Sequence, residues 1–197
     1  MIRAILFDMD GVLVDSIKAW FTTFNMTLKK FEGKEITLKE FESDVWAQDF
    51  NITRTKYFSA DKSLVDSYFY SLQPKLLDMM ERDEKVCSAL KLLKEKYVLA
   101  VVTNTQTSLA EKVLSKLEII GFFSKVIGIG KDMKGKPEPD IVLLALEKLG
   151  LKSNEAVFVG DTIWDRMAAG KAKVKFIGYR IKGDERIGSL EELNSLL

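Results

Sequence analysis

The sequence predicts an α/β protein, a parallel sheet of five strands doubly wound by helices on both faces, with a helical module inserted after the first strand. Three observations predict it. Short apolar runs alternate with amphipathic stretches along residues 84–197, which is the pattern of a parallel sheet wrapped by helices. The runs are apolar at successive positions, as strands covered on both faces must be. Residues 16–81 break this rhythm: they show no strand pattern and hold 12 of the chain's 20 aromatic residues.

The elements follow in order. Residues 2–7 form an apolar run that ends at Asp8, a buried strand. Asp15 and Ser16 offer an N-cap to a helix carrying Ile17, Trp20, Phe21, Phe24, Leu28 and Phe31 at helical spacing, and Gly33 ends it. Residues 37–47 and 62–81 read as helices, and residues 49–61 between them as a turn or loop. Beyond residue 83 come helix 84–96, strand 97–103, helix 107–118, strand 125–129 and helix 138–149, stopped by Gly150. Strand 156–159, helix 162–171, strand 175–179 and a short helix near 189–196 complete the chain. The insertion is far longer than a crossover helix requires. The expected division is therefore a core of residues 1–15 and 82–197 and a helical cap of residues 16–81.

Composition narrows the function. A chain of 197 residues can bury a sizeable core. Its 30 basic and 29 acidic residues balance, so neither nucleic acid nor a membrane surface is indicated as a partner. Histidine is absent, which excludes Ser-His, Cys-His and His-metal chemistry and leaves acid–base work to carboxylates, Lys, Tyr or metal-bound water. The single cysteine, Cys87, lies among Val86, Ala89 and Leu90 and reads as a packed, inert thiol. No apolar run reaches the ~20 residues of a membrane span, and Asp8 interrupts the N-terminal run as no signal peptide would allow. The expectation is a cytoplasmic protein, a monomer or weak dimer.

The candidate chemistry lies just past the strands. The first ends in Asp8-Met9-Asp10-Gly11. Two carboxylates beside a buried strand are costly unless satisfied, Mg²⁺ would satisfy them, and Gly11 permits a sharp turn. The second strand ends in Thr103-Asn104, and the fourth in Gly160-Asp161-Thr162 with Asp165 following; Lys136-Pro137-Glu138-Pro139 precedes a helix. Ligands of open parallel sheets bind beyond these carboxyl ends. Asp8, Asp10, Asp161 and Asp165 would repel one another without a cation. With Mg²⁺ and a lysine they would make a site for a phosphate dianion, whose oxygens Thr103 and Asn104 could hold. Spacing alone leaves open which of Lys131, Lys134 and Lys136 serves.

These stretches resemble a known family. DMDGVLVDS at 8–16, TN at 103–104, KPEP at 136–139 and GDTIWD at 160–165 resemble, in order, the four motifs of the haloacid dehalogenase superfamily. The insertion resembles the C1-type helical cap of its phosphoglycolate-phosphatase-like and β-phosphoglucomutase-like branch. The resemblance implies a Rossmann-like core and a Mg²⁺-dependent phosphatase acting on a small phosphorylated metabolite. Asp8 would be the nucleophile that becomes an aspartyl-phosphate. Asp10 would protonate the leaving oxygen and then activate water. Gly11, Thr103, Asn104 and Lys136 would bind the phosphate, with Lys136 also neutralising charge. Asp8, Asp161 and Asp10 through its backbone carbonyl would bind Mg²⁺, with Asp165 supporting that shell. Dehalogenase members lack the second acid of the first motif, so Asp10 favours phosphoryl transfer. Ile163-Trp164 departs from the fourth motif and either packs beneath the sheet edge or narrows the site.

Other readings compete. A sugar-phosphate mutase shares all four motifs. A non-catalytic phospho-ligand binding or signalling protein is the rival of another class. The receiver-domain pattern, however, needs an acceptor aspartate where Ile127-Gly128-Ile129-Gly130 stands. The GxxxxGK of residues 130–136 is followed by Pro137 where a nucleotide loop needs Ser or Thr. Residues 17–80 carry nine basic and nine acidic side chains, which suits a small metabolite better than an anionic macromolecule. Trp46, Phe50, Arg54, Lys56 and Tyr57 could read the leaving group, although core packing or a solvated surface is the simpler account of each.

Overall fold

The computed structural model describes residues 1–130 and 133–197. Lys131, one of the three lysines weighed above, lies outside the described residues, as does Asp132 of the look-alike nucleotide loop.

Strand β1 (Ala4–Phe7) leads to helices α1 (Ile17–Glu32), α2 (Leu38–Asp44), α3 (Phe50–Tyr57), α4 (Lys62–Ser71) and α5 (Gln73–Asp78). Alternation then begins with α6 (Glu84–Lys94), β2 (Val98–Gln106), α7 (Thr107–Lys116) and β3 (Lys125–Ile129). It continues through α8 (Asp140–Leu149), β4 (Ala156–Gly160), α9 (Ile163–Lys171), β5 (Lys175–Tyr179), β6 (Glu185–Ile187) and α10 (Leu193–Leu196). The sheet order is β3-β2-β1-β4-β5-β6, and every pairing is parallel. The five expected strands are all present. The sixth, β6, was not expected: two of its three residues are charged, and only Ile187 is buried.

The apolar runs are explained by two cores. Ile5, Phe7, Leu99, Val101, Val157 and Val159 face the helices α6 and α7 on one side of the sheet. Ala4, Leu6, Ala100, Val102, Ala156 and Phe158 face α8 and α9 on the other. Each such Val, Leu, Ile or Phe contributes about 1.5–3 kcal/mol when fully buried. The chain passes from β1 to β2 on one side and reaches β4 on the other, so the strand order reverses beside β1. That is where an open parallel sheet leaves a crevice.

Helices α1 to α5 form the helical cap region around a third core of Phe24, Leu28, Phe41, Val45, Phe58 and Val65. Phe24 meets Phe41, Tyr57 and Phe58 at ring separations of 5.4–5.7 Å. Gly33 closes α1 in the left-handed conformation as expected, and Thr37 with Glu40 forms a capping box at α2. Three details depart from the reading of the sequence. The helix expected over 62–81 is two, α4 and α5, parted at Leu72. Residues 50–57, expected as loop, are the helix α3, capped by the Asp49 carboxylate. Ser16 occupies the N-cap position of α1 but makes no cap hydrogen bond with its side chain. The cap is also not walled off: Ala19 of α1, Leu76 of α5 and Met80 belong to the main sheet core.

Candidate active site

Asp8 stands directly past β1, its N–H still donating to the Val159 carbonyl at 2.8 Å. The chain then folds back through Leu13 N–H and Val14 N–H to the Met9 carbonyl. Gly11 at the turn has φ +86°, and a Cβ there would strike the Asp161 carboxylate. Glycine thus serves both the left-handed backbone and the close approach of the β1 and β4 loops. Gly160 serves a second close approach, of the β4 end to the start of α9: a Cβ would lie 2.5 Å from that of Asp165.

Lys136 is the lysine that reaches the centre. Its ammonium lies 2.6 Å from Asp8 Oδ1 and 2.5 Å from Asp165 Oδ1. Asp8 and Lys136 are each 2% exposed and Asp165 is fully buried. The cationic and anionic ends are thus held by each other, as buried charges require. Burial alone would lower the Lys136 pKa, but Asp165 and Asp8 outweigh it and raise it. Burial, then Asp165, raises Asp8 well above the usual carboxylate range despite the lysine. Burial, then Asp165, pushes Asp161 up to about 7. Carboxylates outnumber the one ammonium, and the site retains excess proton affinity.

Asp8, Asp161 and Asp165 each place a carboxylate oxygen within 4.8 Å of the others. Asp161 Oδ1 is buried without a hydrogen-bond partner among the described residues. An all-carboxylate set with an orphaned buried oxygen fits a hard divalent cation such as Mg²⁺.

Asp10, grouped with these by sequence, points its carboxylate elsewhere. Oδ1 accepts from Ser16 Oγ at 2.6 Å and Trp20 Nε1 at 2.8 Å. Oδ2 accepts from Thr105 Oγ1 at 3.0 Å and Thr103 Oγ1 at 3.4 Å. Any part it plays in holding a cation therefore falls to its backbone carbonyl, as the resemblance implies. Asn104 also has work other than the one expected. Its amide donates to the Ala47 and Lys136 carbonyls at 3.0 Å each and accepts from Lys136 N–H at 2.7 Å. It ties the cap loop and the lysine loop to β2. Asp165 is more than a support of the cluster: it closes a capping box with Thr162 at the start of α9.

Sequence reasoning missed Trp20, Ser16 and Thr105 as partners of Asp10. Ser16 left a signal in its place at a helix start, but that signal read as a cap. Thr162 could have been found from the Thr-x-x-Asp spacing of a capping box.

A cavity of about 100 Å³ opens over Asp8, Asp10 and Lys136. Trp20, Trp46, Phe50 and Phe69 of the cap line it opposite the strand ends. Of the suggested cap readers, Trp46 and Phe50 therefore face the site. Arg54 turns to Asp66 at 3.4 Å, and Lys56 and Tyr57 bind Asp44 at 2.6 and 3.2 Å. Ile163 is 61% exposed. With Trp164 it flanks a separate groove that Asp161, Glu42 and Lys182 also line. Cys87 is buried and its thiol is pushed up by that burial. No helix among the described residues is long and apolar enough to cross a membrane.

The chain matches the family described as haloacid dehalogenase-like hydrolase over residues 5–179. The chain belongs to the haloacid dehalogenase-like hydrolases. Among relatives, the phosphoglycolate phosphatase of Aquifex aeolicus is 31% identical over 88% of this chain and 82% of its own length. The pyrophosphatase PpaX of Bacillus pumilus is 29% identical over 94% and 88%. A solved hydrolase of the superfamily, subfamily IA variant 1, from Geobacter sulfurreducens superposes with a TM-score of 0.82. It is 26% identical and is covered, like this chain, in full. This haloacid dehalogenase-like hydrolase is thus an enzyme with the family's α/β sheet and helical cap region, and its buried aspartate cluster accords with phospho-hydrolase activity.

Proposed function

We propose that this hydrolase cleaves a small phosphate monoester through a phosphorylated Asp8, with residues 16–81 acting as the cap domain and residues 1–15 and 82–197 as the core. One observation carries the reading: the Lys136 ammonium sits between Asp8 and Asp165 at 2.6 and 2.5 Å, beside a third carboxylate with an orphaned oxygen. Asp8 Oδ1 accepts from Met9 N–H at 2.8 Å and faces Lys136, so Oδ2 is the oxygen free to attack phosphorus. The ester P–O bond breaks as the Asp8–phosphorus bond forms. The leaving oxygen takes a proton from Asp10, carried on Oδ2 because its partners, the Thr103 and Thr105 hydroxyls, can turn to accept, whereas the Trp20 N–H on Oδ1 can only donate. A water then gives its proton back to Asp10 and attacks the phosphorus, releasing phosphate and freeing Asp8. Lys136 offsets negative charge throughout without moving. Asp8, Asp161 and the Asp10 backbone carbonyl would hold Mg²⁺, which supplies charge neutralisation for the phosphoryl group. Trp20 and the cap aromatics exclude bulk water from the reacting atoms.

The test is hydrolysis of a generic aryl phosphate. Turnover is expected with Mg²⁺, to be lost with EDTA, and to fall by at least a thousandfold in Asp8→Asn with the fold intact by circular dichroism. Activity undiminished by EDTA, or retained by the variant, would overturn the mechanism.

A further inference from the structure

The cavity over Asp8 has an aromatic wall whose part in the proposed chemistry is to exclude water and, through Trp20, to hold Asp10. Trp20, Phe69 and Phe50 form a stacked ladder along it, with ring separations of 6.0 and 3.9 Å and interplanar angles of 20° and 10°. All three belong to the cap and all three line the cavity. The charges there point the same way. Among the described lining residues the only cation is Lys136, already held by two carboxylates. The one charged cap residue is Asp49, an acid. The α3 start, which could otherwise receive an anion, already has the Asp49 carboxylate as its cap. Arg54, the buried cation nearest in sequence, is turned onto Asp66. A leaving group bearing a carboxylate or a second phosphate would meet an acid and no free cation among the described lining residues, with its charge unpaired.

We infer that the alcohol released is compact and uncharged, with an apolar face that packs against the Trp20–Phe69–Phe50 ladder. This rests on the phosphatase reading and deepens it to a substrate class. The cavity of about 100 Å³ is smaller than the roughly 150 Å³ of an engineered cavity that takes up benzene, so the alcohol is no larger than a single ring. Glycolate and phosphate, the leaving groups suggested by the names of the two relatives, are disfavoured for this chain.

The test compares benzyl phosphate, ethyl phosphate, 2-phosphoglycolate and inorganic pyrophosphate as substrates of the Mg²⁺-supplemented enzyme. The first three release alcohols of similar basicity, so differences in kcat/KM among them report recognition. Benzyl phosphate is expected to exceed ethyl phosphate and phosphoglycolate by at least tenfold. Phe50→Ala is expected to shrink the benzyl-to-ethyl ratio severalfold. Preference for phosphoglycolate or pyrophosphate, or equality of benzyl and ethyl, would overturn the inference while leaving the phosphatase reading intact. Binding of benzylphosphonate against phosphonoacetate, by calorimetry, decides the same question without turnover. If no ester is cleaved, the phosphatase reading fails, and the order of the two phosphonates still supports or overturns the selectivity. That order also stands should Phe50→Ala not fold.

Discussion

Asp161 records the charge imbalance of the site in its own proton affinity. Its pKa of about 7 and the raised pKa of Asp8 come first from burial and then from Asp165. A carboxyl group whose folded pKa is raised binds more protons folded than unfolded, here between about pH 4 and 7. Stability without metal therefore falls as pH rises through that window. Below the unfolded value both states are protonated, and this contribution stays in full. The expected outcome is a metal-free melting temperature higher at pH 5 than at pH 8, with Mg²⁺ restoring stability at pH 8. A metal-free melting temperature that climbs from pH 5 to 8 would show that the cluster does not carry this excess charge. At the same scale, Asp10 is held by four donors from α1 and β2. Thr103 and Thr105 could not be paired with it from spacing, since they are 93 and 95 residues away in sequence.

At the scale of elements, α9 is where helix capping and the active site share atoms. Thr162 accepts from Asp165 N–H at 3.3 Å, and both its N–H and its hydroxyl donate to Asp165 Oδ2, whose other oxygen faces Lys136. Thr162→Ala removes a cap worth about 1 kcal/mol, and a thermal melt should fall by about 2–4 °C. It also loosens Asp165, so kcat for the aryl phosphate should fall by more than the melt alone explains. The helix α3 illustrates why elements are harder to read than motifs. Its residues FNITRTKY include Asn, two Thr and Ile, all weak helix formers, so the local signal was that of a loop. Burial of Thr53 and Arg54 and the stacking of Phe50 on Phe69 hold it as a helix. The strand β6 was illegible for a related reason. A three-residue, charged edge strand carries no alternation to detect.

At the scale of the whole molecule, Asn104 links core to cap. Its single amide joins β2, the Lys136 loop and the Ala47 carbonyl. Ala47 itself has φ +60°, a conformation that costs a non-glycine residue on the order of 1 kcal/mol and that this hydrogen bond helps hold. Asn104→Ala deletes three hydrogen bonds of about 0.5–1.5 kcal/mol each. The expected result is a KM raised severalfold and faster proteolytic cleavage near residues 45–49 than in the parent. Unchanged cleavage there would mean that the aromatic contacts alone seat the cap loop. The cap's partly shared core, through Ala19, Leu76 and Met80, limits how far it can move as a unit.

By itself the sequence determined the strand–helix alternation, the five main strands, the helical insertion and the polar clusters at three strand ends and before α8. All of these are written in local pattern: apolar periodicity, caps and the residue types just past each strand. Only the tertiary structure decided where the Asp10 carboxylate turns, that Asn104 serves as a tie, and that the cavity wall is a stack of rings. Those outcomes depend on which groups from distant segments meet in a site too buried for water to satisfy them, and a chain read in order does not record that meeting.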